Sequence, residues 1–366
     1  MAGSTSYIAR LAVSVVSLSV FALPAPAEDS DSSWVDRIRF KGDIRLRYEG
    51  IDEEGGQDRS RARFRTRFGL TADVDDDVRL VLRLASGGDN PVSTNQTIGD
   101  GFSTKDIGID LAYVDWSVND QLHVYGGKMK NPLFRAGSAP LIWDSDLNPE
   151  GVAVKYTSGR FFGAAAIFSV EERSAAADSL LYVTQAGFKF DVGIGATVTM
   201  GLGYFAFTDT VGNEPFFNGS AKGNSVDAAG DYLFEYKDVE IFAQFDAEFA
   251  GWPLRIYAHA TQNREVDAED TAYAVGVKIG AARQQGKSEF SWTYENIEAD
   301  AVIGTFNDSD FGGGGTDSSG HILRGKYALS KRVTIGGTLF VNEVDRFQGT
   351  EHDYRRIQLD VEFKFD

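Results

Sequence analysis

From Arg37 to Tyr48 the chain alternates strictly between two kinds of side chain. Ile38, Phe40, Ile44, Leu46 and Tyr48 are apolar, while Arg37, Arg39, Lys41, Asp43, Arg45 and Arg47 are all charged. A period of two means an extended strand with one apolar and one wet face. The next segment repeats the pattern, with Ala62, Phe64, Phe68, Leu70 and Ala72 set against Arg61, Arg63, Arg65 and Arg67. The end of the chain does the same, with Ile357, Leu359, Val361, Phe363 and Phe365 set against Arg356, Gln358, Asp360, Glu362 and Lys364. Each run exceeds the mean soluble strand of roughly 5–6 residues and matches the ~9–11 needed to cross a bilayer obliquely.

Reading on predicts strands near 37–49, 60–73, 77–87, 107–118, 121–130, 151–158, 161–171, 180–190, 195–208, 237–248, 253–263, 271–281, 287–298, 321–329, 332–343 and 354–365. Those at 107–118 and 161–171 alternate poorly, which leaves their facing unassigned. The connections alternate too. Tight ones fall around Asp75, Asn119, Gly159, Gly193, Gly251, Gln285 and Ser330. Longer polar ones fall at 50–59, 86–106, 131–150, 172–179, 209–236, 264–270, 299–320 and 344–353. The expected fold is therefore all-β: a transmembrane, antiparallel, up-and-down β-barrel with short periplasmic turns and long extracellular loops. Sixteen strands keep the alternation and put both termini on the periplasmic side, with eighteen or fourteen as the open alternatives. A secreted sandwich also alternates, but rows of arginines on its outer face would be unusual.

Composition changes this picture little. Forty glycines, abundant aromatics and only eight prolines favour strands and turns. Cysteine is absent, which removes disulfides and thiolate chemistry. The first 27 residues stand apart: Arg10, an apolar stretch from Leu11 to Leu23, then Ala25-Pro26-Ala27. They read as a signal peptide cleaved after Ala27, followed by a short periplasmic segment at 28–36 and a single barrel domain at 37–366. Cleavage removes one positive charge and no acid from a chain of net charge −18, and so acidic a chain is a poor nucleic-acid binder.

Four stretches go beyond patterning. They are Ser93-Thr94-Asn95-Gln96-Thr97 leading to Gly101-Phe102-Ser103; Gly126-Gly127-Lys128-Met129-Lys130-Asn131-Pro132; Trp143-Asp144-Ser145-Asp146-Leu147-Asn148-Pro149-Glu150-Gly151; and Asp308-Ser309-Asp310-Phe311 running into Gly312–Gly315 and Thr316. With the Arg-rich opening strands, they make the chain resemble the Gram-negative outer-membrane "putative porin" family over essentially its whole mature length. The resemblance implies an outer-membrane porin, a water-filled channel for passive diffusion of small hydrophilic solutes or ions, and names no particular solute. One departure is that Phe365 is followed by Asp366, where barrels of this kind commonly end on the aromatic residue.

If the even residues of the first strands face lipid, then Arg45, Arg47, Arg61, Arg63, Arg65 and Arg67 form a basic patch on the lumen wall, extended by Arg79 and Arg83. Arginine stays charged at physiological pH and is costly on the lipid face. A wide barrel needs narrowing, and the loop 131–150 is the candidate. It offers the anchors Leu133, Phe134, Leu141, Ile142 and Trp143 and the acids Asp144, Asp146 and Glu150. Acids facing arginines would set a field across the constriction. The plainer alternatives are that the arginines pair with Asp43, Glu49 and nearby acids to stabilise the barrel, and that the loop is only pinned to the rim. The Gly312–Gly315 run reads as a flexible outer loop; Asp308, Asp310 and Asp317 as a Ca²⁺ site is a lesser reading. Asp73, Asp75, Asp76 and Asp77 read as a solvated turn.

No cofactor, metal site or catalytic residue is expected. His123, His259, His321 and His352 are scattered without a motif, which weighs against an outer-membrane hydrolase. A structural or adhesive barrel is the other rival, and it would need a filled lumen. The expected partners are outer-membrane lipid and the passing solute, with a homotrimer expected by analogy of barrel size.

Overall fold

A computed structural model describes residues 34–193 and 195–366. The signal peptide expected at 1–27 lies outside the described residues. Sixteen long strands form one sheet that closes on itself, together with a two-residue strand inside a loop. The strands are β1 (Ile38–Glu53), β2 (Arg59–Asp73), β3 (Val78–Ser86), β4 (Gln96–Thr97), β5 (Ile107–Asn119), β6 (Leu122–Lys128), β7 (Glu150–Ser158), β8 (Phe161–Glu171), β9 (Ser179–Gly193), β10 (Ala196–Phe207), β11 (Lys237–Phe249), β12 (Trp252–Asn263), β13 (Thr271–Gly280), β14 (Ser288–Ile297), β15 (Ser318–Ala328), β16 (Val333–Val344) and β17 (His352–Phe365). Every long strand pairs antiparallel with its sequence neighbours, and β1 pairs with β17 from Gly42↔Phe365 to Glu53↔Tyr354 to shut the ring. Closure leaves no free edge in the ring, as a sheet surrounded by lipid requires.

The alternation read from the sequence is the inside–outside alternation of the barrel. Phe40, Ile44, Leu46 and Tyr48 are exposed on the outer face while Asp43, Arg47 and Glu49 are buried on the inner one. An outer wall of apolar side chains is what lipid selects, because a charge there costs about 2–4 kcal/mol near the bilayer midplane. At the short-turn end of the closing seam, Phe68 stacks with Phe40 and tilts against Phe365, with ring centroids 5.6 and 6.3 Å apart.

Three differences from the sequence reading have physical causes. The first hairpin is tighter than 50–59, because Gly50↔Ser60 and Ile51↔Arg59 continue the ladder. Strand β15 begins at Ser318, where the polar run Ser318–Gly320 pairs with Ile297–Glu295 and so hides from a hydrophobicity pattern. The extra strand β4 exists because β3 ends at Ser86 while β2 continues past Phe64. Residues 96–97 return to pair with Arg63 and Phe64, and the Ile98 amide donates to the Ala62 carbonyl. Those backbone groups would otherwise lack partners.

The two strands whose facing was unassigned also become clear. In β5 the register against β3 jumps between Leu111 and Ile109, so Asp110 is an extra, bulged residue. Ile107 and Ile109 face out before it, and Val114 and Trp116 face out after it. A bulge switches the parity of the alternation. In β8 the inward residues Phe162, Ala166 and Phe168 are themselves apolar, because a loop packs on them from inside.

Candidate functional site

The arginines of β1 and β2 form a connected ionic wall with β17. Arg47 grips Asp360 through two bonds of 2.7 and 2.8 Å. Asp43 sits between Arg65 and Arg67, 2.8 Å from each, and Arg65 also reaches Glu362 at 3.0 Å. Glu49 is fully buried and bonded to Arg61 and Arg356, with Arg63 3.8 Å away. Arg83 pairs with the bulged Asp110. Arg45 and Arg63 differ from the rest. Arg45 donates to the Asn95 side chain at 2.6 Å, and Arg63 to the Asn95 carbonyl at 3.2 Å. Arg79 stands apart at the short-turn rim, where it and Arg39 flank Asp73.

Residues 131–149 lie against inward-facing side chains. The Phe134 amide donates to Gln185 and the Gly137 amide to Gln244, both at 2.8 Å. Phe134 packs at a tilt against Phe162 and Phe242, and Trp143 packs against Phe168 and Phe205. Gly137 has φ +63°, and a Cβ there would fall within the Tyr257 ring. The backbone can turn at this contact only because it carries no side chain.

Of the three loop acids, only Asp146 reaches the arginine wall, 3.7 Å from Arg67. Asp144 is buried and accepts from the backbone amides of Asp146 and Ser309. Burial, and then the neighbouring Asp308 and Asp146, push its carboxyl well above the ordinary value. Glu150 opens β7 and pairs with Lys128 on an exposed surface. The acid that engages the wall most closely was not among the three. Asp310 lies 2.7 Å from Arg356 and 3.1 Å from Arg47. Burial works to raise it, but Arg356 and Arg47 outweigh burial and hold it below the usual carboxylate range.

Asp310 belongs to the segment 298–317, whose Gly312–Gly315 run reads in the sequence as a flexible outer loop. It is packed instead. Ala299, Ala301, Val302, Ile303 and Phe311 are buried, and Phe306 joins Phe207 and Phe216 in a three-ring cluster. Asn224, from the loop 208–236, ties it down: its Nδ2 donates to the carbonyls of Ala299 and Val302 at 2.7 and 2.8 Å, and its Oδ1 accepts from the Gly304 amide at 2.8 Å. The loops also join one another. The Asp144 amide donates to the Phe306 carbonyl at 2.8 Å, and Asn307 donates to the Leu141 carbonyl at 3.0 Å. Asp317 accepts from the Phe347 amide, and among the described residues no group of three or more His, Asp or Glu side chains is arranged to hold a metal. Asp75, Asp76 and Asp77 are exposed in the turn after β2.

Cavities lie on both sides of the joined loops. One of about 590 Å³ lies toward the short-turn end and is lined by Arg67, Arg83, Lys130, Arg135, Lys155 and Phe162 among others. One of about 400 Å³ lies toward the long-loop end and is lined by Arg61, Arg63, Lys222 and Arg356 with loop backbone.

A family model described as "Putative porin" matches residues 52–232 and 234–365. The chain belongs to this family. Solved structures of similar fold include OprB of Pseudomonas putida, at 15% identity and TM-score 0.62, covering 90% of this chain and 95% of that one. A mutant porin of Rh. blastica matches at 10% identity and TM-score 0.54, covering 90% and 100%. OmpF of Salmonella typhi matches at 11% identity and TM-score 0.54, covering 90% and 97%. A search of curated proteins finds no match. This porin is an outer-membrane channel for passive diffusion, and its barrel is the expected sixteen-strand form with one small addition.

Proposed function

We propose that small hydrophilic solutes or ions cross this porin past a constriction made jointly by residues 131–149 and 298–317, along the arginines of β1 and β2. The observation that carries the reading is the fastening of both segments to each other and to the inner wall, with Asp310 on Arg47 and Arg356. In this reading Asp310 and Asp146 supply the negative pole of a transverse field and the arginines the positive pole. The channel carries no catalysis. A homotrimer and export by a signal peptide cleaved after Ala27 complete the proposal; the mass of the mature chain and its migration in mild detergent test them.

Planar-bilayer recording tests the pore itself. The purified barrel should give discrete open steps, and Asp310→Asn together with Asp146→Asn should change the reversal potential in a salt gradient. A folded barrel that stays silent would sink the channel reading. Unaltered selectivity in the double variant would sink the transverse field.

A further inference from the structure

The 590 Å³ cavity has a composition unlike the rest of the wall. Arg67 and Arg83 at its edge are matched by Asp43 and Asp110. Lys130, Arg135 and Lys155 are not: among the described residues none of the three has a carboxylate within salt-bridge reach, and Arg135 donates only to the Trp143 carbonyl. The one acid lining the space, Asp144, is itself driven toward its neutral form by burial and by its acidic neighbours. The crowding leaves a trace on Lys130, whose ammonium is held below its ordinary value by burial first and then by Arg83, Lys41, Arg67 and Arg135. Arg67 and Arg83 also line a second cavity, at the short-turn mouth, with Lys41, Lys331 and Lys364. Cations thus outnumber acids from that mouth into the chamber, where Asp43 and Asp366 are the acids lining the mouth cavity.

The same chamber has an apolar side. Leu133, Phe134, Leu147 and Phe162 line it, and the two phenyl rings are 5.4 Å apart. An inorganic anion gains nothing from that side, whereas the apolar body of an organic acid is removed from water there. Between this chamber and the long-loop cavity, β2 carries an arginine at each inward position: Arg61, Arg63, Arg65 and Arg67. Successive inward residues are about 6.8 Å apart along a strand. Arg61, Arg65 and Arg67 there are paired with acids, whereas Arg45 and Arg63 hydrogen-bond the neutral Asn95, Arg63 with Glu49 no nearer than 3.8 Å.

We propose that the cavity beneath residues 131–149 binds small organic carboxylates, and that the channel is selective for anions. The proposal rests on the pore reading above and adds the class of solute. Reconstituted porin in a KCl gradient should show a reversal potential of the chloride-preferring sign. Millimolar benzoate added from the short-turn side should reduce the chloride current, more than the same concentration of inorganic phosphate does. Lys130→Gln with Lys155→Gln should weaken the benzoate block at least about tenfold and lower the chloride preference; among the described residues neither side chain has an ion-pair partner to lose, so the barrel should fold. Calorimetric titration of the detergent-folded barrel with benzoate gives a readout independent of current. Open steps with a cation preference would overturn this inference while leaving the pore reading intact. Phosphate blocking as strongly as benzoate, or no heat of benzoate binding, would overturn the carboxylate assignment. A folded but silent barrel would overturn both.

Discussion

Asn224→Ala isolates what holds the inner loops. Asn224 is 3% exposed and makes three short hydrogen bonds, from Nδ2 to the Ala299 and Val302 carbonyls and to Oδ1 from the Gly304 amide. The Ala299 carbonyl keeps a second partner, the Thr316 hydroxyl at 2.7 Å. The Val302 carbonyl and Gly304 amide lose their side-chain partner in a buried setting. Each bond is worth about 1 kcal/mol net, and each orphaned buried group costs a further ~1–3 kcal/mol before relaxation. Partial rehydration offsets part of this, so opening of 298–306 should become easier by about 3–4 kcal/mol. At 1.4 kcal/mol per factor of ten, amide exchange there should accelerate by roughly two to three orders of magnitude. The barrel should persist, because none of these bonds belongs to the strand ladder. Hydrogen exchange read by mass spectrometry, with heat-modifiable gel mobility as the measure of the barrel, separates the two effects. Single-channel current should become noisier and larger. Unchanged exchange at 298–306 would refute the idea that Asn224 fastens this segment, and a collapsed barrel would show the coupling to be global.

Other substitutions probe the wall and the first loop. Glu49→Gln removes a buried charge shared by Arg61 and Arg356, and should lower barrel stability by about 3–5 kcal/mol, read as a shift in the urea unfolding midpoint. Gly137→Ala strains a left-handed residue and drives a methyl group into Tyr257, which should loosen 131–149 and raise its exchange while the Tyr257–Thr293 bond weakens. Asp144 has a folded-state carboxyl raised above its unfolded value. Its contribution is present in full below the unfolded pKa and is lost as pH rises through the folded one. The melting temperature of Asp144→Asn relative to the parent should therefore climb as pH rises above the ordinary carboxylate range, and a flat difference would contradict the assignment.

Much of the barrel was legible because lipid enforces alternation. A charged outer face would be too costly in lipid, so β1, β2 and β17 show their facing residue by residue. The signal faded where the inner face was also apolar, as at Phe162 and Phe168 under Trp143, and where Asp110 broke the parity. The arginines of the wall could be named, and so could Asp43 and Glu49 as partners, but not which arginine each acid takes or the partners on β17 and in 298–317. The pairings of Arg356 with Glu49 and of Arg47 with Asp360 join residues some 300 positions apart, and only closure brings them together. The Gly312–Gly315 run misleads for a related reason. Its glycines suggest freedom in isolation, whereas φ +115° at Gly315 lets the chain pass against the Lys222 carbonyl of another loop. Asn224 gave no sign at all, since a lone asparagine in a polar loop is ordinary.

The closing seam carries one more consequence. Across it Asp43 faces Lys364, Arg45 faces Glu362 and Arg47 faces Asp360. A slip of two residues would keep every side chain on its proper face, so hydrophobicity alone cannot forbid it. Charge disfavours it. One slip sets Asp43 against Glu362 and leaves Arg47 opposite neutral Gln358, keeping two opposite-charge pairs (Arg45 with Asp360, Glu49 with Arg356) where the native register has three; the other sets Arg45 against Lys364 and Glu49 against Asp360. Like charges directly opposite one another destabilise a strand pair. The first and last strands thus hold a written key to their own alignment, which an inserting chain can read only at the moment the ring shuts.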